Sequence, residues 1–494
     1  YNLGVARKMQ NRLDEAYTAF YKATWNAAWA DAGYINVAQI DCARGNLLRA
    51  LEGVNYSLQY NQANHKARHL KVILLRKTGR MEEAKKEIDK SLAWDGFNYG
   101  IRYEKYLIDH LSEDLKDIKI LMRDDVHNYI EYALDYAHAG LYKQATDFLL
   151  MHVQGKQKVY PMAYYFLGYF AIQAQLTEQA GDYFRRAMDM PHDYCFPNRI
   201  EEVLALQTAL EHNPEDAMAC YYLGNFWYGN SQFEEAAYYW EKSRSINDRF
   251  PITRRNLALV YYNKRNKPQE ALHELETAFR QDSSNARVLM ELDQLYKKMN
   301  KPLQERLNLL ENHLDLVNYR DDLFLERVTL YNLSGKYEEA LKMIMSRNFH
   351  PWEGGEGKVP AQYLFSHIEL AKQDITNGKY SKAIDHLNQA QVYPHNLGEG
   401  KLYGAQENDI HYWLGCAYEG LNETEKAEKY WRLATAGLDD PSPAMFYNDQ
   451  QPDKIFYQGW AFVKLGQPKQ AQSRFNKLMD YGEKHIFDRV KIDY

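Results

Sequence analysis

Apolar and small residues recur along this 494-residue chain with one spacing. A Leu-Gly pair is followed three residues on by a large residue and nine further on by Ala. An apolar residue then comes at +4 and a small one at +7. The pattern reads Leu3-Gly4…Ala16…Phe20…Ala23 and Leu167-Gly168…Ala180…Phe184…Ala187. It returns as Leu223-Gly224…Trp227…Ala236…Trp240…Ser243 and Leu414-Gly415…Tyr418…Ala427…Trp431…Ala434. Weaker copies put the central small residue at Ala50, Ala84, Ala145, Ala271, Ala340, Ala383 and Ala471, with a degenerate copy near Leu292–Leu310. Such spacing predicts amphipathic helices in pairs, A and B. "NRLDEA", "GRMEEA", "GLYKQA", "NSQFEEA", "GKYEEA" and "GKYSKA" carry the turn residues between them. Gly and Ala sit where A and B approach closely, and the large residues fill the gaps between successive pairs.

These residues resemble the tetratricopeptide repeat, a helix–turn–helix unit of about 34 residues. Ala16, Ala50 and Ala84 keep that period. The resemblance implies an all-α, right-handed superhelix (an α-solenoid) of about twelve units. It is specific for fold and says little about function. Two spacings, Ala84 to Ala145 and Ala180 to Ala236, leave room for an added helical element. "IEEVLALQTALEHNPEDA" (Ile200 to Ala217) reads as one, ending in a turn at Asn213-Pro214. The expected division is residues 1–214, with inserted helices, and residues 215–494, with long loops.

Beyond Ala340 the small residues come 43, 44 and 44 residues apart, at Ala383, Ala427 and Ala471. The extra residues follow helix B each time: "RNFHPWEGGEGKVP", "VYPHNLGEGKLYGAQEND" and "AGLDDPSPAMFYNDQQPD". Equivalent insertions in a solenoid lie on one edge, often the binding one. Gly-Glu-Gly-Lys occurs twice, at Gly355–Lys358 and Gly398–Lys401, so the two copies are expected to be neighbours near the starts of helices A. Each offers a carboxylate, an ammonium and free amides close to a helix N-terminus, a plausible polar-ligand site. It is not a P-loop: Trp352 stands at the required first Gly, Val follows Lys358 and no strand precedes. The alternative is that the loops brace one another or dock another domain.

Candidate loop residues are His350, Trp352, Glu353, Glu356, Lys358, Glu399, Lys401, Glu407, Asp409, Asp449 and Asp453. Paired carboxylates are the equipment of a glycosidase, which makes a glycoside-active enzyme one alternative. No catalytic residue is assigned, and acidic residues are common on helix surfaces. His350 is read first as an anchor for its own loop. His395 and His411 are too isolated for a metal site; no metal and no cofactor is expected. The concave face offers Tyr165, Tyr169, Tyr221, Asn225, Tyr228, Arg255, Tyr262, Tyr412 and Trp460 as a groove for a peptide or for sugars stacked on rings. For each aromatic the competing reading is inter-helix packing. A clamp for a peptide C-terminus would want several Lys/Arg and Asn on successive A helices, and this groove is mainly aromatic, which weakens the peptide-adaptor alternative.

Composition narrows the partners. Asp and Glu number 67 against 61 Lys and Arg, so a dedicated nucleic-acid binder is not expected. No stretch approaches the apolar length of a membrane span. Cys42, Cys195, Cys220 and Cys416 show no metal or redox spacing and read as buried thiols, leaving cytoplasm and periplasm both open. The start at Tyr1, without Met or signal peptide, reads as a mature product or a piece of something longer.

Several stretches resemble one group of bacterial tetratricopeptide proteins: "YYLGNFWY", "RNLALVYYNK", "ELDQLYK", "FHPWEGGEGKV", "NLGEGKLYGAQENDIHYWLG" and "FYNDQQPDKIFYQG". Members of that group carry an N-terminal domain of unknown function similar to a galactose-mutarotase-like β-sandwich, often in carbohydrate-utilisation settings. The resemblance covers mainly residues 215–460. It implies a helical half whose partner is that sandwich in cis, another protein, or a carbohydrate shared with it. The expected function is a non-catalytic recognition scaffold.

Overall fold

The computed structural model describes residues 1–441, 451–488 and 493. Within them the chain is all-α, with 28 α-helices, one 3-10 turn and no strand. It divides into two compact units, Tyr1–Thr253 and Arg254–Tyr494.

The first unit is a series of hairpins: α1 (Asn2–Met9) with α2 (Leu13–Ala23), α3 (Ala27–Ala43) with α4 (Leu47–Tyr60), and α5 (His65–Lys77) with α6 (Met81–Trp94). Next come α7 (Tyr99–Asp109) with α8 (Ser112–Leu121), α9 (Val126–His138) with α10 (Tyr142–Val153), and α11 (Pro161–Gln173) with α12 (Thr177–Met188). A single helix, α13 (Ile200–His212), precedes α14 (Ala217–Gly229) with α15 (Phe233–Ile246). Both long spacings are thus filled by helix, the first by α7 and α8 and the second by α13.

Helix α16 (Pro251–Asn263) pairs with α17 (Pro268–Gln281) by sequence and leads into the second unit. There α18 (Ala286–Lys298) is followed by α19 (Leu303–Glu311) and the short α20 (Leu314–Tyr319). The remaining hairpins are α21 (Asp321–Leu333) with α22 (Tyr337–Met345), α23 (Lys358–Thr376) with α24 (Tyr380–Ala390), α25 (Asn408–Gly420) with α26 (Thr424–Ala434), and α27 (Pro452–Lys464) with α28 (Pro468–His485).

The repeat register has a direct physical cause. A β-carbon on Gly224 would lie 2.3 Å from the Trp240 indole, and one on Gly168 would lie 2.3 Å from the Phe184 ring. Only glycine lets helix B seat its large aromatic against helix A there. Ala16, Ala50, Ala84, Ala145, Ala180 and Ala236 are all buried at the start of their B helices. Helix starts are marked by side-chain caps on the A helices: Asn64, Asn98 and Asp216 accept from the backbone N–H groups of Ala67, Ile101 and Ala219 at 3.0, 3.1 and 2.8 Å.

In the first unit the curl closes on itself. Helix α1 touches α13, and α3 and α5 both touch α9. In the second unit the extra residues instead leave helix B as loops between α22 and α23 and between α24 and α25; most of the third insertion, after α26, lies outside the described residues.

Candidate functional site

The first two long loops of the second unit are tied together by backbone and side-chain bonds. The Phe349 N–H donates to the Asn396 carbonyl at 2.8 Å. Asn396 in turn donates its amide to the carbonyls of Ile344 and Arg347, at 2.9 and 3.0 Å, closing the end of α22. The Gly357 N–H donates to Glu399 Oε2 at 2.8 Å. Gly357 is the N-cap of α23 and has φ of +74°. The glutamate of the second Gly-Glu-Gly-Lys therefore sits on the helix terminus opened by the first, where free N–H groups and the helix dipole favour an anion.

The two copies do not share a conformation. In the first, Gly357 is left-handed and Lys358 opens α23 directly. In the second, Gly398 is left-handed, with φ of +77°, and a further stretch separates Lys401 from α25 at Asn408. The expectation that both lysines stand near a helix start is corrected here for Lys401. It donates to the Gln391 carbonyl at 3.0 Å and to Glu407 at 2.6 Å instead.

The other loop residues fall into three groups. The backbone N–H of His350 donates to Asp321 Oδ2 at 2.9 Å, and Arg347 reaches the same carboxylate at 2.6 Å, while the His350 ring is largely exposed. Trp352 lies over Gly355, whose missing β-carbon would be 2.1 Å from the indole. Glu353, Glu356 and Lys358 are exposed. Asp449 lies outside the described residues.

Glu399, Asp409 and Asp453 converge on one cavity of about 400 Å³. Its apolar wall comes from α23 and the second loop, including Pro360, Leu364, Phe365 and Leu402. Its polar end holds Asp409, in the first turn of α25. Asp409 is only 6 % exposed. Its Oδ2 accepts from Lys454 Nζ at 2.5 Å, while its buried Oδ1 has no hydrogen-bond partner among the described residues. Asp453 is 3.6 Å from the same ammonium. Three carboxylates against one lysine leave the cavity acidic. A buried carboxylate oxygen without a donor is costly, so this end suits a ligand that brings N–H or O–H groups. Lys454 and Phe365 were not foreseen from sequence. Only the adjacency of Lys454 to Asp453 hinted at either.

The predicted aromatic groove is corrected in part. Tyr165 is fully buried and donates to the Asp216 carboxylate at 3.1 Å. Burial pushes that carboxyl up to about 6. Tyr221 is buried against Tyr222 and Phe250, and Tyr412 is buried beside Trp413 and Tyr457. All three fill the space between helices, as their large ring area favours. Asn225 accepts from the Trp240 indole N–H at 3.2 Å, Tyr228 packs on Trp240, and Arg255 pairs with Glu291. Tyr262 is partly exposed. Trp460 is exposed, against Phe456 and Phe475. Tyr169 lines a separate cavity in the first unit. Among the described residues no group of three His, Cys, Asp or Glu could hold a metal, and no helix is long and apolar enough to cross a membrane.

Models of the tetratricopeptide repeat match residues 203–245 and 409–436. Among solved structures, the chain is similar to yeast Tom70, at 12% identity and a TM-score of 0.25, over 87% of this chain and 95% of that one. It is similar to pilF of Pseudomonas aeruginosa, at 18% identity and a TM-score of 0.26, over 45% of this chain and 89% of that one. It is also similar to YrrB, described as a repeat protein with an unusual peptide-binding site, at 16% identity and a TM-score of 0.19, over 48% of this chain and 97% of that one. Two stretches of the chain thus match the tetratricopeptide repeat, and the described residues are built from helical hairpins of that kind.

Proposed function

We propose that this chain is a non-catalytic recognition scaffold whose second-unit loops seat a basic side chain of a protein partner. The observation that carries this reading is the buried Asp409 Oδ1, without a donor, at the acidic end of an apolar-walled cavity. A lysine or arginine has the matching shape: an apolar stem for Phe365 and Leu364, and a cationic head for Asp409, Glu399 and Asp453. The N-terminal β-sandwich of the resembling bacterial proteins is the partner of first choice. The test is binding of that domain, or of an arginine-bearing peptide, to wild type, Asp409→Asn and Glu399→Gln. Binding should weaken at least about tenfold in Asp409→Asn, because a charge-assisted hydrogen bond contributes roughly 1.5–3 kcal/mol. It should also weaken with salt. Binding that ignores both changes overturns the reading.

A carbohydrate is the second reading. Phe365 and Tyr393 offer ring faces beside Gln406 on the same wall. It predicts capture of a neutral glycan without dependence on salt. The glycoside-active alternative has less support. Glu356 does not line the cavity, and both Glu399 and Asp409 already accept bonds from the protein itself.

A further inference from the structure

The connection from α12 to α13, residues 189–199, holds two aromatic rings out in water. Tyr194 is 89 % exposed and Phe196 is 64 % exposed. Between them Cys195 is buried, beside Tyr160 and Tyr222. The connection is pinned on both sides of the rings. His192 meets the edge of the Phe250 ring at 4.8 Å, and the buried Glu202 accepts from the N–H groups of Asn198 and Arg199 at 2.6 and 2.8 Å. Tyr194 has φ of +58°, a left-handed conformation that bulky side chains rarely adopt. Two apolar rings left in water lose the gain of burial, and here the backbone that displays them is strained as well. A pinned connection that exposes aromatic area has the anatomy of an interface anchor.

The same unit carries a surface that rings of this kind fit. An open groove of about 750 Å³ runs between α1 and α13. Helix α1 contributes Val5, Ala6 and Met9, and α13 contributes Ile200, Val203 and Leu204, each set spaced as one helix face. Trp227 of α14 completes it. The groove exists because α13 has no hairpin partner to cover that face. No charged side chain lines it. A small polar ligand would find little there to orient it, whereas an apolar body with a polar tip would bury its ring and leave the tip at the margin.

We infer that the first unit pairs with a second copy of itself, the Tyr194 and Phe196 rings of each copy entering the groove of the other. Prong and groove are neighbours in one patch. Phe196 is followed four residues on by Ile200, which lines the groove, so at most about 14 Å of chain separates them. A patch that carries both a projection and a matching hollow is self-complementary, which is what a two-fold interface requires. A two-fold axis passing near Ile200, itself exposed, exchanges the two prongs. The area suffices. Each aromatic ring buries about 150–250 Å², so four rings and the walls they cover remove on the order of 1,200 Å² or more from water, the lower end of stable interfaces.

The experiment is sedimentation velocity on the whole chain between about 1 and 100 µM. Wild type should pass from monomer to dimer in that range, with a Kd on the order of 10 µM. Phe196→Ser and Tyr194→Gly should each weaken the dimer at least about tenfold, through loss of an anchor ring. Ala6→Arg, which puts a long charged side chain into the groove from an exposed position, should do the same. All three positions are exposed, so the variants keep the fold. Tyr194→Gly should also keep or raise the melting temperature of the dilute chain, because glycine adopts the left-handed φ without strain. Exchange of prongs has its own signature. A mixture of Phe196→Ser and Ala6→Arg chains restores one intact contact of prong and groove, so it should dimerise more tightly than either variant alone. A wild type that stays monomeric at about 100 µM, a dimer indifferent to these substitutions, or a mixture no tighter than its parts would each overturn the inference.

Discussion

The two Gly-Glu-Gly-Lys copies are the same four residues doing different work. In the first, Glu356 and Lys358 face solvent, and the glycine after the glutamate makes the left-handed turn into α23. In the second, the glycine before the glutamate is left-handed, Glu399 bonds the first loop, and Lys401 bonds its own. The difference is one of position. The second loop follows a hairpin onto which it can fold back, and its glutamate finds the N–H groups of the helix that the first loop has just begun. Identical motifs on adjacent repeats are thus a donor of backbone groups and an acceptor for them. They are not two halves of a symmetric site.

The strongest way to break this asymmetry is at the glycines. A β-carbon on Gly398 would sit 2.5 Å from the Phe349 carbonyl oxygen, at a φ that disfavours any side chain, whereas Gly400 opens onto free space. Gly398→Ala should cost roughly 2–4 kcal/mol, the sum of left-handed strain and a backbone clash. Gly400→Ala should stay within about 0.5 kcal/mol. Urea unfolding of the two variants separates them. Equal costs would mean that the loops are not held against each other.

Acid gives a second lever, through the hairpin of α23 and α24 that joins the loops. His367 and His386 meet there, Nδ1 to Nδ1, at 3.1 Å. Burial, and then the neighbouring His386, hold His367 down to about 4. Burial, and then Lys382, lower His386. A histidine depressed in the fold stays neutral while the unfolded chain takes up a proton near pH 6.5. Stability is therefore full above pH 6.5 and falls as the pH drops towards 4, by on the order of 1–3 kcal/mol. The melting temperature should follow that window in wild type and flatten in His367→Phe. An unchanged slope would remove the histidine pair as its source.

The glutamates sharpen the comparison with a smaller effect. Glu399→Gln should lose about 1 kcal/mol, because it removes a charge-assisted bond at a helix N-terminus. Glu356→Gln should fall within about 0.5 kcal/mol of wild type. Matching melts for the two would show that the bond from Gly357 to Glu399 contributes nothing in solution.

The repeat was legible in the sequence because it is local. A glycine and an aromatic sixteen residues apart can pack only as two adjacent antiparallel helices, so Gly168 with Phe184 and Gly224 with Trp240 declared both helices and their contact. The added helix at Ile200 was legible for the same reason, as an uninterrupted amphipathic run. The direction it faces was not. Which side it leaves exposed is settled only when closure of the first unit brings α1 against it. The same holds for the rings: Tyr165 and Tyr412 sit at positions that suit a groove or a gap, and only the approach of the next helix decided for the gap. Asp409 marks the limit most clearly. Its identity and its place at the start of α25 are in the sequence, but whether both of its oxygens find donors depends on Lys454, 45 residues away. Local periodicity fixes helices and their nearest contacts. The charges left unpaired inside a cavity depend on which distant side chains arrive there, and that is set by the tertiary fold.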